Sequence, residues 1–350
     1  MKKAAFTLLE ATIVIFAIAV VIGVIQAGKK MVSKSSALAT LNQADNAWEA
    51  NLGEAGIENG SSSSSTGVCS SETVDTADTT TISGETILIF TTTGAHILDC
   101  SEDVTAEILV VAAGGGSTTY DSTDSKFGTG GSGGGGVGHI ENHNLTAGQY
   151  NLYVGAGVLG DTGENSNFGD TLIIANGGGK GGVTDAGGRA GGSGGGVGRR
   201  ANDSNDYPGS ATRGSTTIGA SLYGNSGGTS PPGGIYDRIG AGGGGGAGSS
   251  GSNGAKGNAS SERGGNGGAG RAFDITGTSI YYAGGGGGAS SGTGGTGGTG
   301  GGGAGSSTYR VAGEDGTDGL GGGAGGSNAD TGRIRNTGGS GVVIVRFINP

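Results

Sequence analysis

The last strand-forming stretch of the chain, Gly341 to Phe347, reads GVVIVRF. Two earlier runs have the same β-branched character, Glu85 to Thr91 (ETILIFT) and Val104 to Ala112 (VTAEILVVA). Shorter runs of this kind lie at 96–100, 138–145, 149–154 and 171–175. β-Branched and aromatic residues favour strands, and Gly, Asn or Thr bound these runs. The pattern predicts a small antiparallel β-sandwich that is closed by the last strand.

The long interval before that last strand is rich in glycine. The chain has 89 Gly among 350 residues, about a quarter of its length, against a usual ~7%. In several places Gly recurs at every third position, in the series Gly248–Gly251–Gly254–Gly257, Gly294–Gly297–Gly300–Gly303 and Gly313–Gly316–Gly319–Gly322–Gly325. Three residues per turn is the geometry of a polyproline II helix, and faces without side chains let neighbouring backbones approach and hydrogen-bond. Four Pro residues are too few for collagen. We therefore predict an ordered polyglycine II-like module, and the alternative is a flexible Gly/Ser linker.

The charge of the chain argues against one class of partner. The formal net charge is −10 at pH 7. An acidic protein repels the phosphates of nucleic acids at long range, so we expect no nucleic acid partner.

The N-terminal segment has the length and hydropathy of a membrane helix. Phe6 to Ala27 is 22 residues, or about 33 Å as an α-helix, which matches the roughly 30 Å core of a bilayer. A carboxylate inside such a run, here Glu10, is costly and needs a functional reason. Apolar residues continue at helical spacing as far as Leu52, which predicts one helix of about 47 residues with an amphipathic outer half.

These first residues resemble the N-terminus of type IV prepilins and the related pseudopilins. The resemblance implies that a leader is removed after Ala5, that Phe6 becomes the methylated N-terminus, and that Glu10 pairs with the amine of a neighbouring subunit. The family usually has Gly where this chain has Ala5. The implied partners are other pilin subunits and a prepilin peptidase. The implied location is the inner membrane as a prepilin, followed by an extracellular filament.

The chain is thus expected to have an α+β fold in four parts. These are a leader (1–5), a pilin helix (6–55, with membrane half 6–27 and amphipathic half 28–52), a Ser/Thr-rich loop region (56–84) and a glycine-rich β head (85–350). The strand runs, the poly-Gly and the closing GGSGVVIVRF also resemble glycine-rich domains of phage and bacterial surface proteins. Some phage tail-fibre adhesins of this kind pack polyglycine II helices in bundles and contact their receptor through loops at the tip.

The chain has two cysteines, Cys69 and Cys100. In an exported head they would meet an oxidising compartment, so we predict that they form a disulfide.

Several motifs imitate catalytic or ligand sites. Gly155, Gly157 and Gly160 match a dinucleotide fingerprint but precede no helix-forming segment, and 177–184 matches only half of a P-loop. His139, Glu141 and His143 alternate along one predicted strand and so share a face, without a fourth ligand, and we interpret that face as solvated. Asp315 and Asp318 form one imperfect copy of a calcium turn. No nucleophile–base pair stands out. We therefore expect no enzyme activity, no cofactor and no metal.

Tyrosines interrupt the poly-Gly in islands with Ser, Asn and Gly. The six are Tyr207, Tyr223, Tyr236, Tyr281, Tyr282 and Tyr309. Tyr offers a large contact area at low entropic cost, as in many binding loops. The islands are candidate loops for an unknown surface receptor, and the alternative of equal weight is that they fill a small core.

The sequence therefore predicts a structural subunit of a type IV pilus-like filament, a minor or tip adhesin with a glycine-rich head. A pseudopilin of a type II secretion system is the main alternative. A surface-anchored glycan-binding or hydrolytic domain is a further one.

Overall fold

The computed structural model describes residues 68–78, 82–118, 127–183, 186–199, 207–232, 239–257, 261–308, 311–329 and 335–349. The strands are β1 (Cys69–Ser70), β2 (Thr76–Asp78), β3 (Glu85–Phe90), β4 (Gly94–Cys100), β5 (Val104–Val111), β6 (Ser117–Thr118), β7 (Phe127–Gly128), β8 (Val137–Leu145), β9 (Gly148–Val154), β10 (Ser166–Phe168), β11 (Ile173–Ala175), β12 (Gly214–Thr216), β13 (Ser221–Tyr223), β14 (Arg271–Phe273), β15 (Ile280–Tyr282), β16 (Asn328–Ala329), β17 (Arg335–Asn336) and β18 (Val342–Ile348).

The described chain is all-β, and this corrects two predictions. The α+β class is wrong, because the regular elements of the described residues are all strands. The predicted inner-membrane prepilin is corrected as well, since no helix in this part of the chain is long and apolar enough to cross a membrane. The helix predicted over 6–55 lies outside the described residues, as do Ala5, Phe6 and Glu10.

Two antiparallel sheets of six strands each form the body of the described chain. Sheet A has the order β1-β4-β9-β10-β11-β12, and sheet B has the order β13-β8-β5-β18-β3-β2. The C-terminal strand β18 lies inside sheet B, where Val343 pairs with both Phe90 of β3 and Val110 of β5. Three short antiparallel pairs, β14-β15, β16-β7 and β17-β6, complete the strand set.

The sandwich core lies between the two sheets. Alternate residues of β18 and β5 point into it, and Phe90, Phe168 and Phe347 are among its largest fully buried side chains. Leu98 and Leu152 meet them from sheet A. Because side chains alternate along a strand, the same β5 and β18 present a second apolar set on the opposite face of sheet B. That set, which includes Leu109 and Ile344, packs against Phe273, Ile275 and Tyr282 of the β14–β15 hairpin.

A disulfide joins Cys69 of β1 to Cys100 at the end of β4, as predicted. The two cysteines are directly opposite each other in the antiparallel pair, and both are buried. The bond therefore holds the edge of sheet A. Strand β1 pairs with β4 of sheet A and β2 pairs with β3 of sheet B, and both strands lie within the stretch 56–84 that the sequence analysis assigned to a loop region.

The glycine-rich segments pack side by side without forming strands. We call this packing the glycine array, and its segments are 112–116, 129–136, 176–182, 191–197, 240–247, 284–289, 321–326 and 338–341. The central segment is 129–136. Its successive amide groups donate in turn to three neighbouring segments, 176–182, 240–247 and 321–326. The donor–acceptor pairs are Gly130–Gly182, Gly131–Gly242, Ser132–Ala324, Gly133–Gly179, Gly134–Gly245, Gly135–Gly321 and Gly136–Asn176.

This rotation identifies the backbone geometry. Each of the three acceptor segments is reached again at every third residue, with N···O distances of 2.8–3.0 Å, and three residues per turn is the repeat of a polyproline II helix. The carbonyl groups of the central segment accept from three further neighbours, through Gly196, Gly286 and Gly115. Six segments thus surround one, and backbone hydrogen bonds join it to all of them.

Close approach explains why these positions are glycine. A Cβ atom on Gly133 would lie 2.1 Å from the carbonyl oxygen of Ser193, and one on Gly131 would lie 2.0 Å from that of Gly286. Array segments are continuous with sandwich strands, because 112–116 follows β5, 129–136 precedes β8 and 338–341 leads into β18. The sandwich therefore sets where the array segments begin and end.

Candidate functional site: a cleft on the outer face of sheet A

The outer face of sheet A carries a cleft of about 780 Å³, which we call the sheet A cleft. It arises from the alternation of β4 and β9, whose inward residues enter the core while the residues between them face solvent. The outward positions pair across the two strands as Ala95–Tyr153, Ile97–Asn151 and Asp99–Gln149. Asn167 of β10 lies opposite Tyr153 on its other side, and Asp170 follows that strand.

Two apolar side chains stand in this polar surface. Ile97 is 48% exposed and Tyr153 is 36% exposed. They lie on neighbouring strands one diagonal step apart, close enough to form one patch. The Tyr153 hydroxyl donates to Oε2 of Glu164 at 3.1 Å. Burial raises the pKa of Tyr153, and the hydrogen bond to Glu164 and the charge of that carboxylate raise it further. The phenol therefore stays neutral at physiological pH and its position is held by Glu164.

The polar side chains of the cleft are only partly engaged with one another. The Gln149 amide donates to Asp99 at 3.0 Å, and the Asn151 amide lies 3.3 Å from the nearer oxygen of Asp170. Each amide group keeps its carbonyl oxygen for another donor. The cleft therefore offers both donors and acceptors to a ligand.

The rim and floor of the cleft are tied to the sandwich. Ser70 to Thr73 form one wall, directly after the disulfide-bonded Cys69. His96 is buried beneath, and its ring nitrogens lie 3.1 Å from the carbonyl oxygen of Thr73 and 2.7 Å from that of Thr92. The wall is therefore attached to the sheet by a covalent bond and by His96.

The charge of the cleft is negative. Glu72, Asp99 and Asp170 line it, and none of its described lining residues is Lys or Arg. Carboxylates and amides without a cation disfavour an anionic ligand.

A second, smaller cavity of about 240 Å³ lies over the other face of sheet B. Beside it, Glu107 accepts from His139 at 2.8 Å and pairs with Arg346 at 2.7 Å, so both of its oxygens are engaged. Arg346 also pairs with Glu85 at 3.2 Å. Ligand atoms of Glu107, His139 and Glu141 lie within 4.8 Å of one another. Because Arg346 already compensates Glu107, we interpret this cluster as an ion network that joins β3, β5, β8 and β18.

The prediction of one shared face holds for His139 and Glu141 but is wrong for His143, and a β-bulge is the reason. Between Ile140 and His143 strand β8 has one residue more than β5 has between Ala106 and Ile108. Asn142 takes up the extra residue with φ of 54°. His143 therefore lies opposite Ala106 on the sandwich-core side of the sheet, and His139 lies opposite Leu109 on the other side.

The candidate tyrosines divide between surface and core. Tyr207 is 73% exposed and Tyr281 is 48% exposed. Tyr282 is buried and Tyr223 is half-buried, and both pack against Phe273, with ring centroids 6.4 and 5.9 Å away. Tyr236 and Tyr309 lie outside the described residues. The role of the exposed tyrosines, Tyr207 and Tyr281, as a receptor-contacting tip stays a prediction.

The other motifs are part of the scaffold. Asp315 accepts a hydrogen bond from the backbone amide of Thr337, and Asp318 accepts one from that of Ser340, both at 2.8 Å. Gly157 packs so closely against Gly338 that a Cβ would lie 1.7 Å from its carbonyl oxygen, and the next regular element, β10, is a strand. These residues therefore position the backbone of the array.

The sequence analysis did not single out the sheet A cleft. The alternating polar and apolar residues of 95–99 and 149–153 indicate two strands that each have one face in solvent. Recognising the cleft, however, also requires the β4–β9 register, which brings Ile97 and Tyr153 together.

Comparison with known proteins is consistent with this architecture. The family model described as glycine-rich domain matches residues 91–348, well over half of the chain. Comparison with curated proteins gave no match. The chain therefore belongs to the glycine-rich domain family, and its matched region runs from the start of the β3–β4 turn to the end of β18.

Proposed function

We propose that the chain is a non-enzymatic attachment protein, a structural subunit of a pilus-like filament whose glycine-rich head binds a surface ligand in the sheet A cleft. The single observation that carries the binding role is the cleft itself. It joins an exposed apolar patch, Ile97 and Tyr153, to amide and carboxylate groups on paired strands of one sheet. Concave surfaces that combine apolar area with a few convergent polar groups are typical binding sites.

The scaffold suits a binding head. Polar groups of a binding site work best when rigid elements hold them, because less entropy is then lost on binding. The cleft lies on neighbouring strands β4, β9 and β10, and the Cys69–Cys100 disulfide holds its edge. Disulfides of this kind persist in oxidising compartments, where attachment takes place.

The filament part of the proposal rests on the first residues of the sequence. Ala5, Phe6 and Glu10 match the processing and assembly positions of pilins, and they lie outside the described residues. Mass spectrometry of sheared filaments tests it, and we expect a chain that begins at N-methylated Phe6. A chain that begins at Met1 and is missing from filaments would contradict assembly.

Attachment itself is tested in cells that produce the chain. We expect deletion of its gene to reduce surface attachment and the wild-type chain to restore it. Tyr153→Ala should fail to restore attachment, whereas Leu159→Ala, a change at another exposed apolar side chain outside the cleft, should restore it. Full attachment by cells with the Tyr153→Ala chain would overturn the assignment of binding to the sheet A cleft.

A further inference from the structure

We infer that the ligand of the sheet A cleft is an uncharged polysaccharide chain. This inference rests on the proposed attachment function and narrows it to one chemical class. Three observations bear on it: the two apolar side chains, the amide and carboxylate groups around them, and the lack of Lys and Arg among the described lining residues.

The apolar patch fits the faces of sugar rings. A pyranose ring presents C–H groups on its faces, and these pack on aromatic and aliphatic side chains in the same way as other apolar groups. Tyr153 and Ile97 supply one aromatic and one aliphatic surface on adjacent strands. The residues directly opposite Tyr153 in the two neighbouring strands are Ala95 and Asn167, and neither has a large apolar side chain.

The polar groups fit sugar hydroxyls. A hydroxyl donates one hydrogen bond and accepts others, so it needs both kinds of partner. Asp99 and Asp170 accept, and Gln149 and Asn151 both donate and accept. The side-chain amide of Asn167 has no hydrogen-bond partner within the described chain and is open to a ligand.

The size and charge of the cleft limit the chemical class of its ligand. About 780 Å³ is within the range of pockets that enclose ligands the size of a short oligosaccharide. Glu72, Asp99 and Asp170 repel carboxylate, sulfate and phosphate groups. Acidic glycans and nucleic acids are therefore disfavoured, and neutral chains of hexose or N-acetylhexosamine remain.

The test uses the purified full-length chain and isothermal titration. The neutral probes are oligosaccharides of β1,4-linked glucose, mannose, galactose and N-acetylglucosamine, and the acidic probes are heparin and alginate oligosaccharides. We expect at least one neutral probe to bind and the acidic probes not to bind. Binding of none of the neutral probes, or equal binding of an acidic one, would overturn the inference.

Variants locate the binding. Tyr153→Ala should weaken the affinity for the neutral probe about tenfold, the loss expected for one stacked aromatic contact. Tyr153→Phe keeps the ring and should stay within about twofold, the change expected when a hydroxyl bonded only within the protein is lost. Leu159→Ala, which truncates an exposed apolar side chain outside the cleft, is the control. Asn167→Ala alters an amide that has no hydrogen-bond partner among the described residues, so it tests the cleft without removing a contact that the described fold uses. If neither Tyr153→Ala nor Asn167→Ala changes the affinity, the inference is wrong.

Two outcomes separate this inference from the proposed function. If the wild-type chain restores attachment and is found in filaments but binds no neutral glycan, the function stands and the ligand class is wrong. If Tyr153→Ala instead shifts a monomer–dimer equilibrium in analytical ultracentrifugation, the cleft is an interface between copies of this chain, which also overturns the inference.

Discussion

The sandwich and the glycine array are two different solutions to packing a protein interior. In the sandwich, side chains such as Phe90, Phe168 and Phe347 fill the space between sheets, and removal of apolar area from water supplies the stabilisation. In the array the space between segments is too small for a methyl group, and the interior consists of backbones bonded to each other. The array therefore depends on hydrogen bonds and close van der Waals contact.

Because of this difference, the sandwich core and the glycine array tolerate amino-acid substitutions to different degrees. A side-chain core adjusts to small changes of volume through rotamers, whereas a backbone core has no rotamers to adjust. Glycine also loses more conformational freedom on folding than other residues. We infer that the array is stable because three of its segments adjoin β5, β8 and β18, whose positions the sandwich fixes.

The largest expected effect breaks the array with one methyl group. In Gly133→Ala the new Cβ would lie 2.1 Å from the carbonyl oxygen of Ser193. The central segment must move away from its neighbours, so we expect the free energy of unfolding to fall by more than about 4 kcal/mol. Urea denaturation followed by circular dichroism measures it.

Two matched variants sharpen this prediction. Ile173→Val removes a methylene from the sandwich core, where Ile173 is fully buried, and should cost only about 1 kcal/mol. Gly84→Ala adds a methyl group where no atom lies within 4 Å, but at φ of +82°, and should cost about 1–2 kcal/mol. Equal stability of the Gly133→Ala and Ile173→Val chains would show that the array relaxes as a side-chain core does.

A second effect tests whether the two regions are coupled. The double variant Cys69→Ala/Cys100→Ala opens a loop with a sequence separation of 31 at the edge of the sandwich. We expect the free energy of unfolding to fall by about 3–4 kcal/mol. Because array segments begin and end in the sandwich, amide hydrogen exchange of Gly131 to Gly135 should accelerate as well. Unchanged protection of these amides would show that the array holds its structure independently, and reduction of the wild-type chain should reproduce the effect of the variant.

The smallest expected effect is a pH dependence of the free energy of unfolding that comes from Tyr282. Tyr282 packs under sheet B, and burial raises its pKa to about 12. The folded state therefore favours the neutral phenol, whose stabilising contribution is complete below the unfolded pKa of about 10 and is lost as pH rises through the folded pKa. Between pH 9 and 11 the free energy of unfolding of the wild-type chain should fall by about 1 kcal/mol more than that of the Tyr282→Phe chain. Chemical denaturation at several pH values measures both. Identical losses for the two chains would show that Tyr282 ionises freely in the folded state.

The sequence predicts the local parts of this fold well. The runs at 85–91, 104–112 and 341–347 coincide with β3, β5 and β18, because β-branched residues at the centre of a buried sheet leave a strong local pattern. The period of three among glycines likewise matches the rotation of hydrogen bonds in the array. The disulfide could be predicted because the chain offers a single possible pair.

What the sequence does not predict depends on pairing between distant segments. The bulge at Asn142 moves His143 to the sandwich-core face of sheet B, and no local sequence pattern predicts this bulge. The sheet A cleft requires that β4 and β9 pair in one register, since a shift by a single residue would turn Tyr153 into the core. Tyr223 and Tyr282 look like the other island tyrosines in sequence, and only the fold places Phe273 against them.

The position of β18 has a consequence for how the head is made. A long glycine-rich interval separates it from β5, yet it lies between β3 and β5, so sheet B keeps a gap at its centre until β18 has been synthesised. Most domains begin to fold from the N-terminal end during synthesis, but pairing across such a separation is slow and comes late. A chain that stops early leaves the facing edges of β3 and β5 unpaired, the kind of surface that proteases and chaperones recognise. Sheet B can therefore close only after β18 has been made, and a chain that stops before Val342 cannot complete the head.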